Sequence, residues 1–155
     1  MTTQTDMQPT SGSFGEDLAH RLPVRVYYED TDFSGIVYHA RYLHFFERGR
    51  TDSLRCMGIH HSELAAQENP VAFAVRRMNI EFVQAARVDD ALIVETRYEP
   101  SRGARLNISQ RLRRGDQIIA TADVEAVCID GNGRALRPPR ELVAKWTPYT
   151  RKLDS

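Results

Sequence analysis

Several features are scarce in this 155-residue chain, and each scarcity excludes a class of protein. The two cysteines, Cys56 and Cys128, lie too far apart to suggest a metal-ligand pair, and we expect reduced thiols rather than a disulfide. The basic and acidic residues balance at 21 each, so net charge does not favour nucleic acid or a membrane as partner. No apolar run could span a bilayer, and residues 1–19 lack the apolar core of a signal peptide. These absences predict a cytoplasmic protein without stable membrane insertion.

The organisation of the chain follows from composition and hydrophobic periodicity. Residues 1–19 are rich in Thr, Ser, Gly and Gln and poor in large apolar residues, which predicts a disordered tail before one domain over 20–150. The alternating, β-branched and aromatic run at 23–28 predicts a strand. Apolar residues at helical spacing over 42–57 predict a long helix that ends at Gly58.

The second half of the chain changes to a period of two residues. Four runs alternate between apolar and polar residues, around 78–82, 92–98, 105–112 and 118–126. Glycine-containing turns separate them, which predicts antiparallel neighbours with one face covered. Proline before the short apolar stripe at 138–146 predicts a last helix. The expected fold is α+β, a curved antiparallel sheet wrapped around one long central helix.

The stretch EDTDFSGIVYH, residues 29–39, contains the densest cluster of side chains that could take part in catalysis or bind a metal. It resembles the start of an EF-hand loop, but the position of the closing glutamate is taken by Arg41, and the preceding strand is wrong for that motif. A phosphatase with an aspartyl nucleophile also begins with Asp-x-Asp, but it needs a parallel sheet and a downstream lysine, whereas Lys145 and Lys152 lie at the extreme C-terminus. A structural alternative has Asp30 and Asp32 forming Asx-turns and capping the long helix.

The whole block VRVYYEDTDFSGIVYHARYLHFFERGRTDSLR, residues 24–55, resembles the hotdog-fold acyl-CoA thioesterases of the 4-hydroxybenzoyl-CoA thioesterase type. The similarity is greatest to the branch that is encoded beside the Tol–Pal envelope system, and VAFAVRRMNIEFVQAARVDD, residues 71–90, also fits the pattern. Phe33-Ser34 departs from the small residues usual there, and we expect this to alter pocket shape without touching the acid. The resemblance implies a hotdog fold, a dimer or tetramer with sites between subunits, and a role in envelope lipid metabolism.

The resemblance also implies the reaction, hydrolysis of an acyl-CoA or acyl-acyl-carrier-protein thioester. It places the catalytic carboxylate at Asp32, acting on water or directly on the thioester carbon. Backbone N–H groups at the start of the long helix would stabilise the oxyanion, among Gly35, Val37, Tyr38 and His39, with His39 the best candidate. The His39 side chain has two interpretations, a proton-transfer group or a structural residue.

The remaining candidates are weaker. Tyr28 is a possible site residue or an ordinary strand aromatic. Glu47 lies in the predicted helix, where pairing with Arg48 or Arg50 is more expected than catalysis. Four arginines are candidates for the CoA phosphates: Arg76, Arg77, Arg102 and Arg105. The pattern implies no metal and no cofactor, and it assigns His60-His61 to the surface.

Two other functions fit the same fold. A hotdog protein that only binds an acyl chain or a partner would not need Asp32 beside a helix start. A hotdog dehydratase would use a histidine and would lack this aspartate block. Release of free thiol from acyl-CoAs, with Asp32→Asn as control, separates these from a thioesterase.

Overall fold

The computed structural model describes residues 9–150 and contains a single antiparallel sheet with the order β1-β2-β4-β5-β6-β3. The strands are β1 (Ser13–Phe14), β2 (His20–Arg25), β3 (Val71–Phe82), β4 (Ala91–Tyr98), β5 (Arg105–Arg114) and β6 (Gln117–Asp130). β4, β5 and β6 are joined by short turns, as the sequence predicts. The four predicted later strands are therefore confirmed, and β3 lies at one edge of the sheet.

The helices are α1 (His39–Cys56), α2 (His61–Ala66) and α3 (Arg140–Trp146), with 3₁₀ turns at Tyr28–Asp30 and Thr147–Tyr149. α1 is the predicted long helix, and it packs on the sheet through Phe45, Phe46 and Leu54, which are buried. Its C-cap is Met57, and the next residue, Gly58, has φ +85°. This is the left-handed conformation that glycine adopts readily at helix ends. No helix within residues 9–150 is both long and apolar enough to cross a membrane.

α1 lies close to the sheet at Gly49. A Cβ atom at this position would lie 2.5 Å from Cγ1 of Val94 and 3.0 Å from Oγ1 of Thr96 on β4. Glycine is therefore required here because side chains of the sheet occupy the space that a Cβ atom would need, and not because of an unusual φ.

Buried polar groups line the same contact between helix and sheet. The amide of Gln110 accepts a hydrogen bond from Arg50 (3.0 Å) and donates to the carbonyl of Phe46 (2.9 Å). The hydroxyls of Ser53 and Tyr98 lie 2.6 Å apart. Buried polar groups are tolerated when they are hydrogen-bonded, so this network fixes the position of α1 along the sheet.

Two local predictions need correction, and one short helix was not predicted. The prediction of a disordered tail over residues 1–19 is wrong for its last part. β1 pairs with β2, and Gly12 in this segment donates a hydrogen bond to Asp52 on α1. Residues 1–8 lie outside the described part of the chain. The strand predicted at 23–28 begins earlier and ends at Arg25. The polar stretch after α1 contains the short helix α2, whose buried Leu64 was too weak a signal to reveal it.

Candidate active site

The loop between β2 and α1 is folded by backbone hydrogen bonds over only five residues. The N–H of Asp32 donates to the carbonyl of Ile36 (3.0 Å), and the N–H of Gly35 donates back to the carbonyl of Asp32 (3.1 Å). Gly35 has φ +82°, which a residue with a side chain adopts only with strain. The glycine therefore closes a tight turn that holds Asp32 at its start.

Asp30 is the structural aspartate of the pair. Its carboxylate is buried and accepts the N–H of Tyr27 at 2.8 Å, and its carbonyl accepts the N–H of Tyr38 at 3.0 Å. Asp30 thus connects the 3₁₀ turn to the first residue before α1, which confirms its predicted role in shaping the loop. Neither aspartate caps α1, because Tyr38 occupies the N-cap without a side-chain cap.

Asp32 presents its carboxylate to solvent. Its Oδ1 accepts both the N–H of Ser34 at 2.8 Å and the Ser34 hydroxyl, an Asx-turn. The Ser34 hydroxyl and then its N–H lower the pKa of Asp32, because both stabilise the ionised form. The prediction that Phe33-Ser34 leaves the acid untouched is wrong. Within residues 9–150, Oδ2 has no hydrogen-bond partner, so one oxygen of an ionised carboxylate remains available.

The start of α1 offers fewer free donors than the sequence suggests. The N–H groups of Gly35, Val37 and Tyr38 donate to the carbonyls of Asp32, Ala86 and Asp30, respectively. These three N–H groups are therefore removed from the predicted oxyanion donors, because an N–H that already donates a hydrogen bond of 2.8–3.1 Å is not available to an oxyanion. His39 is the first residue of α1, and its N–H has no hydrogen-bond acceptor in the described part of the chain. Helices leave their first N–H groups unpaired, and the helix dipole favours negative charge there.

The side chain of His39 lies among aromatic rings. Its ring centroid is 4.5 Å from that of Tyr38 and 6.3 Å from that of Phe82 at the end of β3. No hydrogen bond joins the imidazole to Asp32 in residues 9–150, so the geometry favours the structural interpretation of the ring. Phe82 is half-exposed beside the helix start. The sequence does not mark Phe82 as a site residue, since its position in an alternating strand predicts only core packing.

Tyr28 does not take the place predicted for it. It belongs to the 3₁₀ turn rather than to a strand, and its side chain is 85% exposed. Its carbonyl accepts the hydroxyl and the N–H of Thr31, at 2.7 and 3.1 Å. The backbone of Tyr28 therefore supports the loop, while its phenol makes no hydrogen bond to the carboxylate of Asp32.

Three of the four candidate arginines surround one carboxylate on β6. Arg76 and Arg105 pair with Glu125 at 2.7 and 3.4 Å, and Arg77 adds a weaker electrostatic attraction to the same group. Arg102 lies in the turn before β5, where it exchanges backbone hydrogen bonds with Arg105. None of the four contacts the Asp32 loop within residues 9–150. On β3, Arg77 precedes Phe82 by five residues, or about 17 Å of extended chain.

Glu47 is engaged as the sequence predicts, by a structural ion pair. Its carboxylate lies 2.7 Å from Nη2 of Arg50 and accepts the hydroxyl of Thr51 at 2.9 Å. Arg48 makes no ion pair with it in the described chain. A catalytic role for Glu47 is thus not supported by the geometry.

Comparison with known proteins agrees with this arrangement. Residues 26–147 match the family described as the thioesterase-like superfamily. The chain is 43% identical to the acyl-CoA thioesterase YbgC of Haemophilus influenzae, over 84% of this chain and 96% of that protein. It is also 43% identical to the acyl-CoA thioester hydrolase YbgC of an Escherichia coli strain, over 81% of this chain and 94% of that protein.

A solved structure shows the same fold. The crystal structure of a probable thioesterase from Bartonella henselae superimposes with a TM-score of 0.76 at 42% identity, covering 78% of this chain and 99% of that chain. The family match covers the Asp32 loop and α1. The chain belongs to the thioesterase-like superfamily and has its hotdog fold.

Proposed function

We propose that this protein hydrolyses acyl-CoA thioesters, with Asp32 as the base or nucleophile and the His39 N–H as the oxyanion donor. The observation that carries the proposal is the pairing of two unsatisfied groups in one loop. Asp32 exposes an ionised carboxylate with Oδ2 free, and seven residues later α1 begins with an N–H that has no acceptor within residues 9–150. The named relatives are acyl-CoA thioesterases.

The chemistry requires little beyond these two groups. Asp32 Oδ2 takes a proton from a water that attacks the thioester carbon, or attacks that carbon itself to give an anhydride that water then hydrolyses. In either route the carbonyl oxygen becomes an oxyanion, which the His39 N–H and the dipole of α1 stabilise. The C–S bond breaks, the thiolate leaves and is protonated, and the acyl group is released as the free acid.

Two of the arginines are better candidates than the others for the CoA phosphates. Arg76 and Arg105 are occupied by Glu125, whereas Arg77 and Arg102 have no carboxylate within 4.0 Å among the described residues. A guanidinium without a protein partner can bind a phosphate through paired N–H donors. We therefore assign the phosphates to Arg77 on β3 and Arg102 in the turn before β5.

The protein is further proposed to act as a homodimer or tetramer in the cytoplasm. β3 is an edge strand that exposes Val75 and Phe82, and the next residue, Val83, is exposed as well. An unpaired edge with apolar side chains favours pairing with a second strand. Both cysteines are free thiols, as expected in a reducing compartment.

The oxyanion donor can be tested by removing a single hydrogen-bond donor. His39→Pro deletes the backbone N–H at the first position of α1, where proline is well tolerated, while His39→Ala deletes the ring and keeps the N–H. Loss of one oxyanion donor lowers kcat by about 10²–10³. We expect His39→Pro to lose activity to this extent and His39→Ala to lose far less, measured as release of free thiol from acyl-CoAs of different chain length and from an acylated carrier protein.

Equal losses in the two variants, with unchanged circular dichroism, would overturn the assignment of the N–H. If the wild-type protein hydrolyses none of the thioesters in that panel, the proposed function itself is overturned. The relative rates with CoA and carrier-protein donors identify the natural leaving group. Light scattering of the purified protein measures the oligomer, and Val75→Lys on the β3 edge is expected to shift it toward monomer.

A further inference from the structure

A second cluster of reactive side chains lies away from the Asp32 loop. His20 on β2 faces Asp52 and Cys56, which are four residues apart on α1 and so share one face of the helix. His20 is fully buried, and the other two are partly buried. The proposed reaction uses none of these three groups.

The separations of the three ligand atoms match the space needed for one metal ion. His20 Nε2 lies 2.8 Å from Asp52 Oδ2, and Cys56 Sγ lies 3.7 Å from the nitrogen and 3.8 Å from that oxygen. A point equidistant from atoms at these separations lies about 2.0 Å from each, against about 2.0–2.3 Å for zinc bound to nitrogen, oxygen and sulfur. Only the distance between His20 Nε2 and Asp52 Oδ2 must increase, by about 0.5 Å, to reach the ligand spacing of a tetrahedral site.

The types of ligand also select the kind of ion. One imidazole, one carboxylate and one thiolate are typical of zinc and similar divalent transition metals, whereas magnesium and calcium prefer oxygen ligands alone. The Asp52 side chain remains 14% exposed, so the cluster is accessible to an ion from solvent.

We propose that His20, Asp52 and Cys56 form a binding site for a zinc-like divalent transition-metal ion, with water in the fourth position. The ion replaces the proton that His20 Nε2 donates to Asp52, and that proton moves to Nδ1. The thiol of Cys56 loses its proton to solvent, because the ion binds the thiolate. No redox step is involved.

The site would hold the N-terminal arm in place. The Ser11 hydroxyl and the Gly12 N–H both donate to Asp52, at 3.0 and 2.8 Å. A bound ion therefore connects β2 and α1 at the point where this arm crosses them. Its effect is expected on stability rather than on the chemistry at Asp32.

Cobalt provides a spectroscopic test on the full-length protein. After treatment with a chelator and dialysis, addition of Co²⁺ is expected to produce a thiolate-to-cobalt charge-transfer band that saturates at one equivalent. Zn²⁺ should then abolish the band by displacement and raise the melting temperature. Cys56→Ser should remove the band and weaken Zn²⁺ binding by at least about tenfold, as loss of a metal ligand does.

Cys128→Ser is the matched control, since Cys128 is buried on β6 and is not part of the cluster. It should retain the band at the same stoichiometry. The proposal fails if wild type gives no band, if the band survives in Cys56→Ser, or if it disappears in Cys128→Ser. A His20→Gln variant that binds Co²⁺ as tightly as wild type would also overturn it, and circular dichroism of each variant verifies that the fold is intact.

Discussion

Asp32 and Asp52 are carboxylates at opposite ends of the same helix, with opposite surroundings. Asp32 lies before α1, is exposed, and takes its hydrogen bonds from Ser34, two residues away. Asp52 lies near the C-terminal end of α1 and accepts from Ser11, Gly12 and His20, which are 32 to 41 residues away. One carboxylate has an oxygen free for chemistry, and the other is saturated by the fold.

The two aspartates represent two kinds of contact, one between near neighbours in the chain and one between distant segments. Contacts within the Asp32 loop close over a few residues and leave groups facing solvent, so they shape a site but add little to global stability. Contacts at Asp52 join segments that are distant along the chain, so breaking them releases the N-terminal arm from α1. Substitutions at the two aspartates should therefore affect activity and stability in opposite proportions.

The largest effect is expected at Asp32. Asp32→Asn removes the base or nucleophile and keeps the shape of the side chain, so kcat/KM should fall by about 10²–10⁴, the usual contribution of such a group. The free energy of unfolding should stay at the wild-type value within the error of the measurement, since the side chain is exposed. Thiol release and urea denaturation measure the two quantities, and a variant with wild-type activity would contradict the proposed role.

Asp52→Asn should give the reverse result. It replaces a charged acceptor that serves three donors, which destabilises the protein by about 1.5–3 kcal/mol. Activity per folded molecule should stay at the wild-type level, as Asp52 is far from the Asp32 loop along α1. Asp116→Asn is the matched control, because the Asp116 side chain is fully exposed and its substitution should leave stability unchanged within the error of the measurement. Similar denaturation midpoints for the two variants would contradict this prediction.

A third carboxylate, that of Glu95, extends the comparison to the dependence of stability on pH. Glu95 on β4 is buried and lies 2.8 Å from Arg113 and 3.6 Å from Arg21 and Arg111. Burial alone would raise the pKa of Glu95, but these arginines outweigh it and lower the pKa below 4.5. A lowered carboxyl pKa stabilises the folded state above the unfolded pKa, and that stability is lost as the pH falls through the folded value.

Glu95→Gln should therefore destabilise the protein by about 1–2 kcal/mol at pH 7, less than Asp52→Asn because the arginines are partly exposed and screened. The difference from wild type should shrink as the pH falls below 4.5. Urea denaturation at several pH values gives this curve. A difference that grows toward acid pH would show that the sign is wrong.

The same division of contacts explains what the sequence could predict. The long helix, its end at Gly58, and four strands follow from patterns that are local in the chain, and the structure confirms them. The Asp32 loop was identifiable because its residues act on their near neighbours. The cluster of His20, Asp52 and Cys56 was not, since no spacing relates a strand residue to a helix face 32 residues later.

Even within the loop, side-chain geometry limited the prediction. The resemblance implied Gly35, Val37, Tyr38 and His39 as backbone donors near a helix start, with His39 the best candidate. Three of their N–H groups are engaged by carbonyls, and one of these, that of Ala86, belongs to a distant segment. Which N–H stays free depends on the packing of that segment against the loop, which no local pattern encodes.

The smallest effect is expected at Ser34, and it tests whether the Asp32 loop tunes its acid locally. Ser34→Ala removes the hydroxyl donor and keeps the N–H donor, so the pKa of Asp32 should rise toward its ordinary value of 3.8. The carboxylate stays ionised at neutral pH in both proteins, so activity at pH 7 should change by less than about twofold. Titration of the Asp32 carboxyl carbon by ¹³C NMR measures the shift directly. Ser34→Thr retains a hydroxyl and should restore the wild-type curve; if alanine and threonine give the same pKa, the hydroxyl does not set it and the backbone N–H of residue 34 does.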